Sequence, residues 1–328
     1  MPTLRVRPLR MTPVDARLYV QRARDLAQIE TGLSHGFNVI LLGERGAGKT
    51  TLLNVLSTQA EATRHKLAFV SGGTVSSAAD ALDRIGRELD PTGNHAASAP
   101  AISPGAADPL TAAYDRLAHV VSHLEWNRPV VLLDHLTAPL GWELFGRLRD
   151  ELWTLELQWV VAANIDDQVL MLAPPADAFF EHTVYLSPFS ESDIVELLAR
   201  RDPGGELGDS VRQTIAARCE GNPSRALALA RRAVLAEDPL TAVSRGTVVE
   251  QVALELGRPA ARLADELARN GPAGPSDEDL LRRLGWSRPR AYQVFEQLNG
   301  AGHLEISAEH TGRPGRPRNT YKLKEDRV

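Results

Sequence analysis

A single cysteine, Cys219, is all that the 328 residues contain, so no internal disulfide can form, and Cys219 reads as a small buried hydrophobe. No apolar run approaches the roughly 18 residues needed to span a bilayer. The amino terminus lacks the apolar core of a signal peptide. These absences set the expectation of a cytoplasmic protein with no membrane partner. Positive charge is in deficit overall, with a net charge of −5, yet residues 282–328 hold ten Lys/Arg against five Asp/Glu. That basic end leaves −10 on the remainder. What the chain does have is apolar material for real cores, 43% of its residues, and length for two or three domains.

One segment carries a specific chemistry. Gly43-Glu44-Arg45-Gly46-Ala47-Gly48-Lys49-Thr50-Thr51 is a complete G-x-x-x-x-G-K-[ST] phosphate-binding loop. The apolar run 37–42 before it reads as a buried strand, and 51–56 opens a helix whose amino terminus would face the phosphates. In such a loop the glycines let backbone N–H groups surround the phosphates. Lys49 neutralises the β and γ oxygens, and the Thr50 hydroxyl ligates magnesium. ATP with Mg2+ is the expected cofactor pair, because no N-K-x-D guanine-recognition motif occurs.

Prolines 2, 8 and 13 among Arg5, Arg7 and Arg10 suggest a basic arm over residues 1–17. Helical spacing follows over 25–33. Further apolar runs read as strands at 67–70, 129–134, 157–163 with Asn164 at its end, and 183–186. Residues 78–90 form an amphipathic helix. Residues 91–109, rich in Ala, Pro, Gly and Ser without periodicity, are expected to be a mobile insertion. Apolar strands alternating with helices indicate a parallel sheet covered on both faces. The expected fold class is α/β: a parallel-sheet P-loop ATPase core over 18–189, a small helical lid over 190–257 and a winged helix over 258–328.

Asp134 ends an apolar strand, where a P-loop enzyme needs a carboxylate for magnesium. His135 stands at the next position, where many such ATPases place a Glu to polarise water, so binding is better supported than hydrolysis. Asn164 can orient a water or meet the γ-phosphate through its amide, or simply form a turn before Asp166-Asp167. Arg225, opening a helix after Gly221-Asn222-Pro223, can reach the γ-phosphate or lie in solvent. Together with the segment Ser187-Pro188-Phe189-Ser190-Glu191-Ser192-Asp193, these residues resemble an AAA+ ATPase, of the type of the origin initiators related to Orc and Cdc proteins or of the STAND signalling ATPases. Tyr19-Val20-Gln21-Arg22 is similar to the hydrophobic-Gly-Arg opening motif of that group, with Gln21 in place of glycine. The resemblance covers residues 18–236. It implies that Asn164 is sensor 1, Arg225 is sensor 2 and Arg22 belongs to the nucleotide-base pocket. No arginine occurs in 177–183, where a finger for a neighbouring subunit would be sought.

The carboxy-terminal residues resemble a winged helix. A capped helix over 275–284, the turn Gly285-Trp286-Ser287 and a helix over 288–298 have helix-turn-helix spacing. A turn into a strand over 300–306 and its return strand over 321–324 flank the basic loop 312–318. The second helix would offer Arg288, Arg290, Gln293 and Gln297 to a major groove, and the loop Arg313, Arg316 and Arg318 to the backbone or minor groove. Double-stranded DNA is therefore the expected partner, with self-association possible on it and no protein partner identifiable. The leading expectation is a slow ATPase that couples nucleotide state to DNA binding. The alternatives are a STAND-like switch whose winged helix binds protein, and a transcription regulator with a structural nucleotide.

Overall fold

The computed structural model describes residues 9, 12–62, 66–93, 108–124, 128–309 and 318–324. Helices α1 (Pro13–Ala16) and α2 (Ala23–Ser34) lead into β1 (Val39–Gly43), and α3 (Lys49–Ala62) leads into β2 (Leu67–Ser71). Helices α4 (Ala78–Leu89) and α5 (Pro109–Ser122) precede β3 (Val130–Asp134). Then α6 (Ala138–Trp142), a π-helical stretch over Glu143–Arg147, and α7 (Arg149–Thr154) lead to β4 (Gln158–Asn164). After α8 (Gln168–Met171) and β5 (His182–Tyr185) the chain turns helical. It continues through α9 (Glu191–Arg201), α10 (Asp209–Arg218), α11 (Pro223–Val234), α12 (Pro239–Leu256), α13 (Arg258–Asn270), α14 (Glu278–Leu284) and α15 (Arg288–Gly300). A hairpin of β6 (Leu304–Glu309) and β7 (Arg318–Leu323) follows.

The chain divides into two compact units, one of Arg7–Arg200 with Asn222–Ser224, the other built mainly from Arg201–Gly221 and Arg225–Val328. The first is a five-stranded sheet in the order β2-β3-β4-β1-β5, with every pairing parallel. All five residues of β1 are buried, as a central parallel strand requires. Successive side chains leave opposite faces. Ile40, Leu42, Val131, Leu133, Trp159 and Val161 pack with the α4 and α5 side chains, while Val39, Leu41, Leu132, Val160 and Ala162 pack against Ile29 of α2 and Leu52, Leu53 and Leu56 of α3. On the first face Phe145 is fully buried, its ring 4.8 Å from Phe179, 4.9 Å from Phe180 and 5.6 Å from Trp159. Of the expected insertion, residues 94–107 lie outside the described residues, and Pro109 already opens α5.

In the second unit, α13, α14 and α15 share a core with β6 and β7 through Leu263, Leu280, Leu284, Val294, Phe295, Leu304 and Leu323. The element order is that of a helix-turn-helix followed by a hairpin. Asp277 caps α14 by accepting from the N–H groups of Asp279 and Leu280. Gly285 ends it at φ 68°, a left-handed turn that glycine adopts without cost. The hairpin pairs Leu304 with Leu323 and Glu309 with Arg318, and Ala273 bridges to Tyr321. Near the start of this unit the Asp202 carboxylate is wholly buried and accepts from the N–H groups of Glu206 at 3.0 Å and Leu207 at 2.8 Å, and from Arg212 Nη2 at 3.2 Å. Burial pushes this carboxyl up, but the two backbone donors and Arg212 together hold it below its ordinary 3.8.

Truncating Phe145 to Ala removes a ring from the centre of an aromatic cluster and should cost about 3–5 kcal/mol, read as a lower urea midpoint. Because Asp202 is depressed in the folded state, its contribution is present above its ordinary 3.8 and is lost as pH falls below that value. Acid titration followed by circular dichroism should therefore show a shallower loss of stability below pH 3.8 for Asp202→Asn than for the native chain.

Candidate nucleotide-binding site

Parallel strands bring their carboxyl ends to one edge of the sheet, and the loops that leave that edge collect the polar side chains. Gly43 is in register with Asn164 on the adjacent β4, and Ser71 with Asp134 on β3. The phosphate loop, Asp134 and Asn164 thus share one edge although 121 residues of sequence separate Gly43 from Asn164. Gly46 and Gly48 have φ of 85° and 103°, backbone that side chains rarely adopt. At Gly46 space forbids a side chain as well, because a Cβ would lie 2.5 Å from Ser224 Cβ and 3.0 Å from Asn222 Oδ1. Glu44 and Arg45 are exposed at the apex, Ala47 is buried, and Thr50 and Thr51 sit half-buried in the first turn of α3.

Lys49 folds back on its own loop, donating to the carbonyls of Gly43 at 2.6 Å and Glu44 at 2.8 Å. Burial pushes its ammonium below the ordinary 10.5, against the pull of Asp134, Asp166, Asp167 and Glu44. Asp134 is buried, and its Oδ2 lies 2.8 Å from His135 Nδ1. His135 reaches this position with a left-handed backbone, φ 54°, and an imidazole that stays 61% exposed. Asn164 donates from Nδ2 to Asp166 at 3.0 Å, while its Oδ1 is buried with no hydrogen-bond partner among the described residues. An unsatisfied buried acceptor beside a phosphate loop calls for a donor that the protein does not supply. The donor set, one ammonium and a left-handed loop of backbone amides facing a buried carboxylate, suits a phosphate chain with a divalent cation.

Arg22 lies behind the loop. Its guanidinium donates to Asp25 Oδ2 at 3.0 Å, to the Ser187 carbonyl at 2.5 Å and to the Ala47 carbonyl at 2.8 Å, and it stacks 3.9 Å from the Phe189 ring centroid. One side chain therefore joins the start of α2, the phosphate loop and the segment after β5. Burial lowers its pKa, and Asp25 is the chief group opposing that shift. Asn222 was legible in the sequence only as part of a helix cap. Here it is 3% exposed and donates from Nδ2 to the Arg45 carbonyl at 3.0 Å. Arg225, in the second unit, forms an ion pair with Glu220. Arg288 of α15 pairs with Glu278 of α14 at 3.3 Å, and Arg290 Nη1 donates to Gln293 at 2.8 Å; all four residues are exposed. Arg313 and Arg316 lie outside the described residues, and Arg318 is placed only as the first residue of β7.

A sequence model of the ABC transporter family matches residues 26–103, a span containing β1, the phosphate loop and α3. No curated protein matches the chain. Among solved structures, Cdc6p from Pyrobaculum aerophilum is 16% identical, with a TM-score of 0.52, covering 94% of this chain and 93% of that one. A Walker-type ATPase of Pyrococcus abyssi is 17% identical, with a TM-score of 0.50, covering 98% and 97%. The Orc1 protein of Aeropyrum pernix, solved in complex with DNA, is 20% identical, with a TM-score of 0.47, covering 98% and 91%. Removal of the buried guanidinium in Arg22→Ala strands Asp25 and frees the Ala47 carbonyl. We expect a stability loss of about 3–5 kcal/mol by urea denaturation, with the unfolding transition remaining cooperative.

Proposed function

We propose that this chain, which has the fold of an AAA+ P-loop ATPase of the origin-initiator type, binds ATP with magnesium, hydrolyses it slowly and uses its nucleotide state to set its affinity for double-stranded DNA. The observation that carries the nucleotide reading is the convergence of the phosphate loop with Lys49, Asp134 and Asn164 on one sheet edge. Residues 43–51 would cradle the phosphates, and Thr50 with Asp134 would hold the cation. Bound magnesium neutralises phosphate charge in such sites. The protein's own contribution is positional: the loop amides are held by Arg22 through Ala47, and Lys49 need only exchange two backbone carbonyls for phosphate oxygens. His135 carries no carboxylate to polarise a water and is already engaged with Asp134, which supports slow turnover.

The DNA reading rests on α15. It buries Ala291, Val294, Phe295 and Leu298 and turns Arg288, Arg290, Gln293 and Gln297 outward. Those are residue types that read base edges and phosphates when a helix lies in a major groove. A second reading, a STAND-like switch whose winged helix meets protein, is favoured by Tyr292, an aromatic side chain 51% exposed on the same helix.

Fluorescence anisotropy with random-sequence duplex at low salt, with and without ATP, separates these readings. The native chain should change its DNA affinity by about tenfold or more on adding ATP, and Lys49→Ala should abolish that response. Equal affinities in both states would sink the coupling, and no duplex affinity at all would favour the protein-facing switch.

A further inference from the structure

The segment Asn222–Ser224 belongs by its contacts to the sheet unit, whereas α11 from Arg225 onward belongs to the other. The unit boundary therefore falls inside a single helix, directly after the residues that touch the phosphate loop. Those touches are specific. Asn222 Nδ2 donates to the Arg45 carbonyl at 3.0 Å and lies 3.5 Å from Glu44 Oε2. The Ser224 N–H is shared between the Gly46 carbonyl at 3.3 Å and Asn222 Oδ1 at 3.0 Å. Three consecutive residues at the loop apex, Glu44 to Gly46, are thus gripped by one buried amide and the first turn of α11. Gly46 leaves no slack, because a Cβ there would overlap Ser224.

We propose that Asn222 is a positioning residue that ties the apex of the phosphate loop to the first turn of α11, so that a loop which tightens around a triphosphate also tightens α11. The proposal rests on nucleotide binding but not on DNA binding. Its physical basis is that the Arg45 and Gly46 carbonyls cannot reorient without breaking a hydrogen bond to Asn222 or Ser224, and a helix whose first turn is pinned frays less. Asn222 supplies the side-chain amide of the grip. That amide donates to the loop and accepts from the helix at the same time.

Hydrogen exchange of the full chain with and without a non-hydrolysable ATP analogue tests this directly. In the native protein the analogue should slow exchange in the loop and in α11, by roughly fivefold in α11, the factor one hydrogen bond of about 1 kcal/mol supplies. Asn222→Asp keeps the size and the acceptor for Ser224 but loses the donor to Arg45. It should retain protection in the loop and lose the nucleotide-dependent protection of α11. Asn222→Ala, which loses both bonds, should do the same, and thermal unfolding of each variant checks that it is folded. Nucleotide-dependent protection of α11 that survives in Asn222→Asp would overturn the proposal, as would a native α11 that ignores the analogue while the loop responds. Absence of protection in the native loop itself would instead defeat nucleotide binding, and the proposal with it; the DNA measurements bear on neither outcome.

Discussion

The position of β1 between β4 and β5 governs everything at the candidate site. A strand of five residues, buried throughout and hydrogen-bonded on both sides, has no freedom to slide, because a shift of one residue would turn Ile40 and Leu42 to the opposite face. Its last residue, Gly43, is therefore held beside Asn164, and the loop that follows must turn at once. The turn is accomplished by left-handed backbone at Gly46 and Gly48, after which Lys49 begins α3.

Around this loop the protein spends buried polar groups that hydrophobic packing would not need. Arg22 and Asp25 are nearly inaccessible, and one guanidinium satisfies two carbonyls and a carboxylate from three chain segments. A buried ion pair seldom adds much net stability compared with apolar packing, but its fixed geometry excludes other arrangements of the same segments. Asn222 holds the loop apex with one amide. Between them the loop backbone is oriented while Lys49, whose ammonium is destabilised by burial, holds only carbonyls. A preorganised loop of this kind gives up little conformational freedom when an anion arrives.

The second unit follows separate rules. Its core is made from short helices whose ends are set by caps, Asp277 before α14 and Gly285 after it, and the burial of one face of α15 necessarily exposes the other. Two of its features depend on packing more than on residue pattern. Helix α12 lies in the stretch expected to be a helical lid, and its Val248, Val249 and Val252, β-branched residues that locally suit a strand, are buried in one core with Leu263 and Leu267 of α13. Asp202 looks like a surface loop acid until its two backbone donors and Arg212 close over it.

Local chemistry alone determined the strands, the phosphate loop and the helix-turn-helix spacing, since an apolar run of five residues, a glycine-rich turn and a capped helix each state their conformation within a few residues. Asp134 and Asn164 were legible as strand ends for the same reason. What only the folded chain decided was their company. Strand order set Gly43 against Asn164 rather than Asp134, the left-handed backbone of His135 placed its imidazole on Asp134, and Arg22 and Asn222 acquired their roles from carbonyls 25 and 177 residues away. A backbone carbonyl carries no residue identity, so no pattern in the sequence marks the side chain that will bond to it.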